Sequence, residues 1–129
     1  MAALAQTEAN DLLKASLAIT TYPAPTGNIT LALTTTTGTA SAAGTEVTGG
    51  SYARQTLTGN FGTATNGSVS TNAAINFTNM PAATTTAAEV FDSAGTPKRK
   101  WFGALAASKT TGAGDTLSFP SGQITLTLT

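Results

Sequence analysis

Alternation of apolar and polar positions dominates the chain after Pro25. Ile29-Thr-Leu31-Ala-Leu33 and Ile124-Thr-Leu126-Thr-Leu128 place an apolar residue at every second position, which predicts strands with one apolar face and one face covered by Thr. Weaker runs predict strands near Tyr52–Thr58, Val69–Ser70, Ala74–Phe77, Thr86–Phe91, Lys100–Ala106 and Thr116–Phe119. Turn chemistry recurs about every ten residues, at Gly49-Gly50, Asn66-Gly67, Met80-Pro81, Ala94-Gly95, Gly112-Ala-Gly114-Asp115 and Pro120-Ser-Gly122. Short antiparallel strands at that spacing predict a mainly β chain, an antiparallel β-sandwich or jelly-roll-like domain.

The period changes to 3.6 only near the N-terminus. Ala9, Leu12, Leu13, Ser16 and Leu17 fall on one helical face, with Glu8 and Asp11 in the first turn and Thr7 placed to cap it. Asp11 and Lys14 have the spacing of an i,i+3 pair. Thr20-Thr21-Tyr22-Pro23 ends the helix, because β-branched and pre-proline residues resist its continuation. The expected organisation is a single domain over 1–129. Residues 1–21 form a helical arm and 26–129 the sandwich, with a flexible exposed loop at about 34–45, where only Thr, Ser, Ala and Gly occur before Thr45. The leucine face either docks on the chain's own sheet or grips a neighbouring subunit.

Composition narrows the chemistry. The 129 residues include six basic and six acidic side chains, no His and no Cys, and 9% are charged where roughly 25% is usual. That removes imidazole bases, thiolates, His-ligated zinc and disulfides. Balanced charge argues against nucleic acid as a partner. There is no basic leader at the start and no apolar run near the ~18 residues of a membrane span, so no membrane partner is expected. Twenty-eight threonines keep strand propensity while offering hydroxyls instead of charges, a surface suited to association between copies.

The acids Glu8, Asp11, Glu46, Glu89, Asp92 and Asp115 are scattered, and no pair has the placement of a general acid and base. Asp115 is expected to bond backbone amides in its turn, and Arg54 to pair with Glu46 or Glu89. Lys98-Arg99-Lys100-Trp101-Phe102 is the one charge cluster. It reads as a solvated hairpin entering a strand, as a contact with a neighbouring subunit, or as a nucleic-acid contact. Trp101 and Phe102 are expected on opposite faces. Candidate subunit contacts are therefore Leu13, Leu17, Lys98, Arg99 and Lys100; no catalytic, cofactor-binding or metal-binding residue is assigned, and no cofactor is expected.

Three stretches resemble a family of small structural proteins of tailed bacteriophages, variously labelled tail-fibre-like, minor structural or head-decoration proteins. They are Glu46-Val-Thr-Gly-Gly-Ser-Tyr-Ala-Arg-Gln55, then Asn79-Met-Pro-Ala-Ala-Thr84 leading to Val90-Phe-Asp-Ser-Ala-Gly95, then Gly103-Ala-Leu105 through Ser121-Gly-Gln-Ile-Thr-Leu126. The resemblance covers roughly residues 45–129, and departs where Thr96-Pro-Lys-Arg-Lys100 replaces a Gly-rich turn. It implies a non-enzymatic virion protein. The leading expectation is a capsid decoration protein on the outer head surface, bound to the major capsid protein and to copies of itself, with trimers one such grouping. The alternative is a tail-fibre or tail-tip adhesin that binds a host surface receptor.

Overall fold

A computed structural model describes residues 2–128. In chain order the elements are β1 (Ala2–Leu4), α1 (Gln6–Ser16), β2 (Thr30–Thr34), β3 (Gln55–Thr56), β4 (Ser68–Ser70), β5 (Ile75–Met80), β6 (Ala83–Phe91), β7 (Arg99–Thr111), β8 (Asp115–Phe119) and β9 (Thr125–Thr127). The fold is mainly β, all pairings are antiparallel, and one short helix lies near the N-terminus, as the alternation predicts. A five-stranded sheet has the order β1-β7-β6-β2-β3, and two ribbons, β4-β9 and β5-β8, complete the strands.

The core lies between this sheet and the β5-β8 ribbon. Leu31 and Leu33 of β2 and Val90 of β6 face Ile75 and Phe77 of β5 and Leu117 of β8, with Val47, Leu57 and Met80 closing the ends. Tyr52 stacks on Phe77 at 6.0 Å between ring centroids, and Phe119 meets Phe77 edge-on at 6.2 Å. Burying each large apolar side chain stabilises the fold by roughly 1.5–3 kcal/mol, so this cluster supplies the main driving force.

The outer face of β2 departs from expectation. Ala32 and Thr34 are as buried as the leucines between them. The 34–45 segment, expected to be a flexible exposed loop, is exposed along most of its length, and hydrogen bonds tie it back over this face. Thr35 N–H donates to Thr45 O at 2.8 Å, Thr39 N–H to Ala42 O at 2.8 Å, and Gly44 N–H to Glu89 Oε1 at 2.8 Å. Gly38 permits the approach, because a Cβ there would collide with the Glu89 carboxylate and the Arg99 guanidinium. A run of small residues thus forms a cover that lies close against the sheet.

Other boundaries move for identifiable reasons. Strand geometry in the Tyr52–Thr58 region is confined to β3, since the Tyr52 and Arg54 side chains both turn to Glu46. β7 runs past Ala106 to Thr111, and only Thr86 of β6 stands opposite residues 105–108, a wide bulge that keeps the two strands paired beyond it. The Asn66-Gly67 turn is a two-residue hairpin loop with both residues at positive φ (52° and 74°), the combination that type I′ demands. Exposed hydroxyls pair across strands: Thr84 with Thr110 at 3.1 Å, Ser68 with Thr127 at 3.0 Å and Ser70 with Thr125 at 2.7 Å.

Thr7 does not cap the helix. β1 pairs with β7 as far as Leu4↔Trp101, Ala5 N–H donates to Lys100 O at 3.0 Å, and α1 starts directly afterwards without a side-chain cap. Its other end is a Schellman motif, with Ile19 N–H donating to Lys14 O at 2.9 Å and Ala18 N–H to Ala15 O at 3.2 Å. Ala18 sits in the left-handed region at φ 57°, which suits glycine. Ala18→Gly is therefore expected to raise stability by about 1 kcal/mol, read as a higher urea midpoint at unchanged slope.

Candidate functional site

The basic cluster Lys98-Arg99-Lys100 is placed by a register shift in β7. Phe91 pairs with Arg99 while Val90 pairs with Trp101, so Lys100 is an inserted residue. In a regular strand Lys100 would lie opposite to Arg99, on the core side; the bulge turns it toward α1 instead. Two of the three cations then meet acids of α1, and the third meets an acid of β6. Lys98 pairs with Asp11, Arg99 with Glu89 at 3.0 Å and Lys100 with Glu8 at 2.9 Å. Glu8 also accepts a hydrogen bond from the Tyr22 hydroxyl, and the Lys100 ammonium lies 5.5 Å from the Tyr22 ring centre. Arg99 further donates to the carbonyls of Thr39 (2.5 Å) and Ala40 (3.1 Å), and Ala40 O accepts from Gln6 N–H at 2.8 Å. One tripeptide thus clasps the helix, the 34–45 cover and β6.

The cluster is therefore not a solvated hairpin: Lys100 is 4% exposed and Glu8 3%. All three cations expected as subunit contacts are taken by acids of their own chain. The helix docks by its charged face, because Glu8 and Asp11 must reach Lys100 and Lys98. Asp11 consequently bonds Lys98, not Lys14, and the leucine face is rotated outward. Ala9 and Leu12 are half-buried, while Leu13 and Leu17 are 59% and 62% exposed, with Ile19 beside them at 65%. Sequence reasoning missed Glu8 and Tyr22 as members of the cluster. The available signal was the pair of acids in the helix's first turns, matched in number to Lys98 and Lys100.

A second ion pair ties the core's edge. Arg54 grips Glu46 through two parallel bonds of 2.9 and 2.8 Å, and its guanidinium lies 4.0 Å above the Phe91 ring. The Arg54 bond holds the Glu46 carboxyl below its ordinary range against the opposing effect of burial. Lys98 does the same for Asp11. Burial pushes Asp92 up, but amides of Lys98, Ala94 and Thr26 outweigh it and leave the carboxyl below its ordinary value. Asp115 accepts from Gly112 N–H at 2.7 Å, as expected of that turn. Glu89 and Asp92 share no substrate-facing cleft: one is bound to Arg99 and the other to backbone amides.

Trp101 and Phe102 do face opposite sides. Trp101 packs against the core, and Phe102 lies beneath Arg99, 5.0 Å from ring centre to guanidinium. Trp101 also forms part of an open groove of about 500 Å³ between β7 and the β8-β9 region. Leu105 and Ala106 form one wall and Phe119 and Ile124 the other. Among the described residues Lys109 is its only charged lining side chain.

Removing one member of a buried ion pair leaves the other charge uncompensated. Glu8→Gln is expected to cost about 3–5 kcal/mol, with Glu8→Gln/Lys100→Met recovering much of the loss in urea unfolding. Leu13→Ser and Leu17→Ser are expected to change stability by no more than about 0.5 kcal/mol.

A carboxyl with a depressed folded-state pKa stabilises the fold above its unfolded pKa, and that contribution disappears as pH falls through the folded value. Asp11, Glu46 and Asp92 therefore make stability fall below about pH 4. Burial and the bond to Glu8 push Tyr22 from 10.0 up to about 12, so its contribution is present below pH 10 and lost as pH rises toward 12. Thermal melts across pH should show a plateau between these limits; a midpoint unchanged down to pH 2 would contradict the assignment of the carboxylates.

Residues 3–127 match the model of a protein family described as Podophage GP4 fiber I protein gp80. No curated protein matches the chain.

Proposed function

The chain belongs to this podophage fibre-protein family, and we propose that it is a non-catalytic virion protein that builds a fibre by packing against other virion subunits. The family match, which spans nearly the whole chain, carries this reading. The chemistry of the charged groups supports it. Each of the six acidic side chains is engaged with a cation or with backbone amides of its own chain, which supports a structural role for them. The outer surface is left to threonines and to the exposed apolar group Leu13, Leu17 and Ile19. Such a surface associates through shape and apolar area, with few charges to repel a neighbour.

The fibre reading is preferred to capsid decoration because the matched family is described as a fibre protein. Both readings make the same kind of contact with different neighbours, a fibre or tail component in one case and the major capsid protein in the other. Leu13 and Leu17 are the side chains we assign to that contact.

Copy number in purified virions, measured by mass spectrometry against the major capsid protein, separates these readings. A few dozen copies per particle, with antibody label on the fibres, is the expected result. About one copy per capsid subunit, or one per three, moves the protein to the head. Absence from the particle overturns both.

A further inference from the structure

The groove beside Trp101 has a chemistry that the fibre role does not use. Its floor is continuous with the core through Leu31, Val90, Leu117 and Leu126. At about 500 Å³ it exceeds the roughly 150 Å³ that holds a benzene and lies within the roughly 300–1,000 Å³ of small-molecule sites. Water in such a groove gains little, because the hydroxyls along it are already engaged. Ser118 donates to Asn76 at 2.5 Å, Thr125 pairs with Ser70 and Thr127 with Ser68. The same commitments make it a poor sugar site, since a glycan needs several convergent polar partners. Among the described residues the one charged side chain at the groove is Lys109, and it has no acid within 4.0 Å. The chain's own exposed leucine stripe is not a fitting occupant from a second copy, because Lys14 stands on that helix and would bring an ammonium toward Lys109.

We propose that this groove binds a single-chain anionic amphiphile, a fatty acid monomer, with the acyl chain along Trp101, Leu117 and Leu126 and the carboxylate at Lys109. The groove supplies mainly apolar area, with the Gln123 amide as its one uncommitted polar side chain among the described residues besides Lys109, and its lip supplies the Lys109 charge. This assignment does not depend on whether the protein sits in a fibre or on a head.

Trp101 is the only tryptophan, so its fluorescence reports the groove directly. Dodecanoate, titrated below its micellar concentration, is expected to produce a saturable blue shift. An exposed ion pair is worth about 1 kcal/mol at most, so Lys109→Ala should weaken binding about fivefold and Lys109→Glu about tenfold. Dodecanol should bind wild type about fivefold more weakly than dodecanoate and should not respond to Lys109→Glu. Ala106→Phe, which narrows the groove from an exposed wall position, should weaken both ligands, with urea midpoints confirming that each variant is folded. The proposal fails if wild type shows no saturable shift, or if Lys109→Glu binds dodecanoate as tightly as wild type. It also fails if only phosphatidylglycerol vesicles produce the shift, if maltohexaose produces it, or if protein concentration alone does, which would assign the groove to a bilayer, a glycan or a second copy.

Discussion

The clasp formed by Lys98, Arg99 and Lys100 is the interaction on which the rest of the structure depends. Without it nothing charged would hold α1, and the 34–45 cover would lose the carbonyl contacts to Arg99 at Thr39 and Ala40. The cover in turn keeps water from Ala32, Thr34 and Glu89 on the outer sheet face. A chain in which only 9% of residues are charged has concentrated three of its six cations in one tripeptide and paired them with two acids of α1 and one of β6. Ion pairs of this kind add little net stability compared with apolar contacts, but they select one arrangement strongly, because a displaced partner strands a buried charge. The helix is accordingly placed with certainty of orientation, charged face inward.

That orientation has a consequence for the surface. An amphipathic helix normally hides its leucines, yet here the electrostatic demand of the strand beneath it wins the inner face. Leu13, Leu17 and Ile19 are left to water, at a cost of about 25 cal/mol for each Å² of apolar surface that stays exposed. Around them the sheet is coated with threonine. Pairs such as Thr84–Thr110 and Ser70–Thr125 tie strands together within the chain, so the hydroxyls serve the fold as well as any neighbour. The ribbons β4-β9 and β5-β8 carry no charged residue within their strands except Asp115 at the start of β8. Such edges are ordinarily protected by charge in proteins that remain apart. Their neutrality is what packing beside other subunits would require.

The strands were legible because period two survives where one face is buried: β2, β5, β6 and β8 all overlap the runs that the alternation marks, although each extends past its run by one to three residues. The Arg54–Glu46 pair and the Asp115 turn were legible because their partners are close in sequence. The clasp was not. Glu8 and Lys100 are 92 positions apart, and Lys100 reaches the helix only through an inserted residue that no local pattern announces. The same long-range contact misled the helix, whose apolar periodicity was real but whose docking was decided by charge. The 34–45 cover was illegible for the opposite reason. Its residues have no periodicity at all, and its order comes from backbone amides and carbonyls that meet Glu89 and Arg99.

The two inventories of the molecule, charged and apolar, have remainders that coincide. Among the described residues, four ion pairs and two turn-capping aspartates account for all the charged side chains except Lys14 and Lys109. Among the described residues the exposed large apolar side chains are the helix stripe and Leu128, and further apolar residues form the walls of the groove. Lys14 lies on the helix that carries the stripe, and Lys109 lies at the groove. Each remaining cation thus accompanies a remaining apolar surface, a combination that favours an occupant with an apolar body and a negative charge over a second apolar surface with a positive one. The two surfaces of one copy are therefore poorly matched to each other. A fibre built from this chain would have to join its helix stripe to something other than the groove of the next copy.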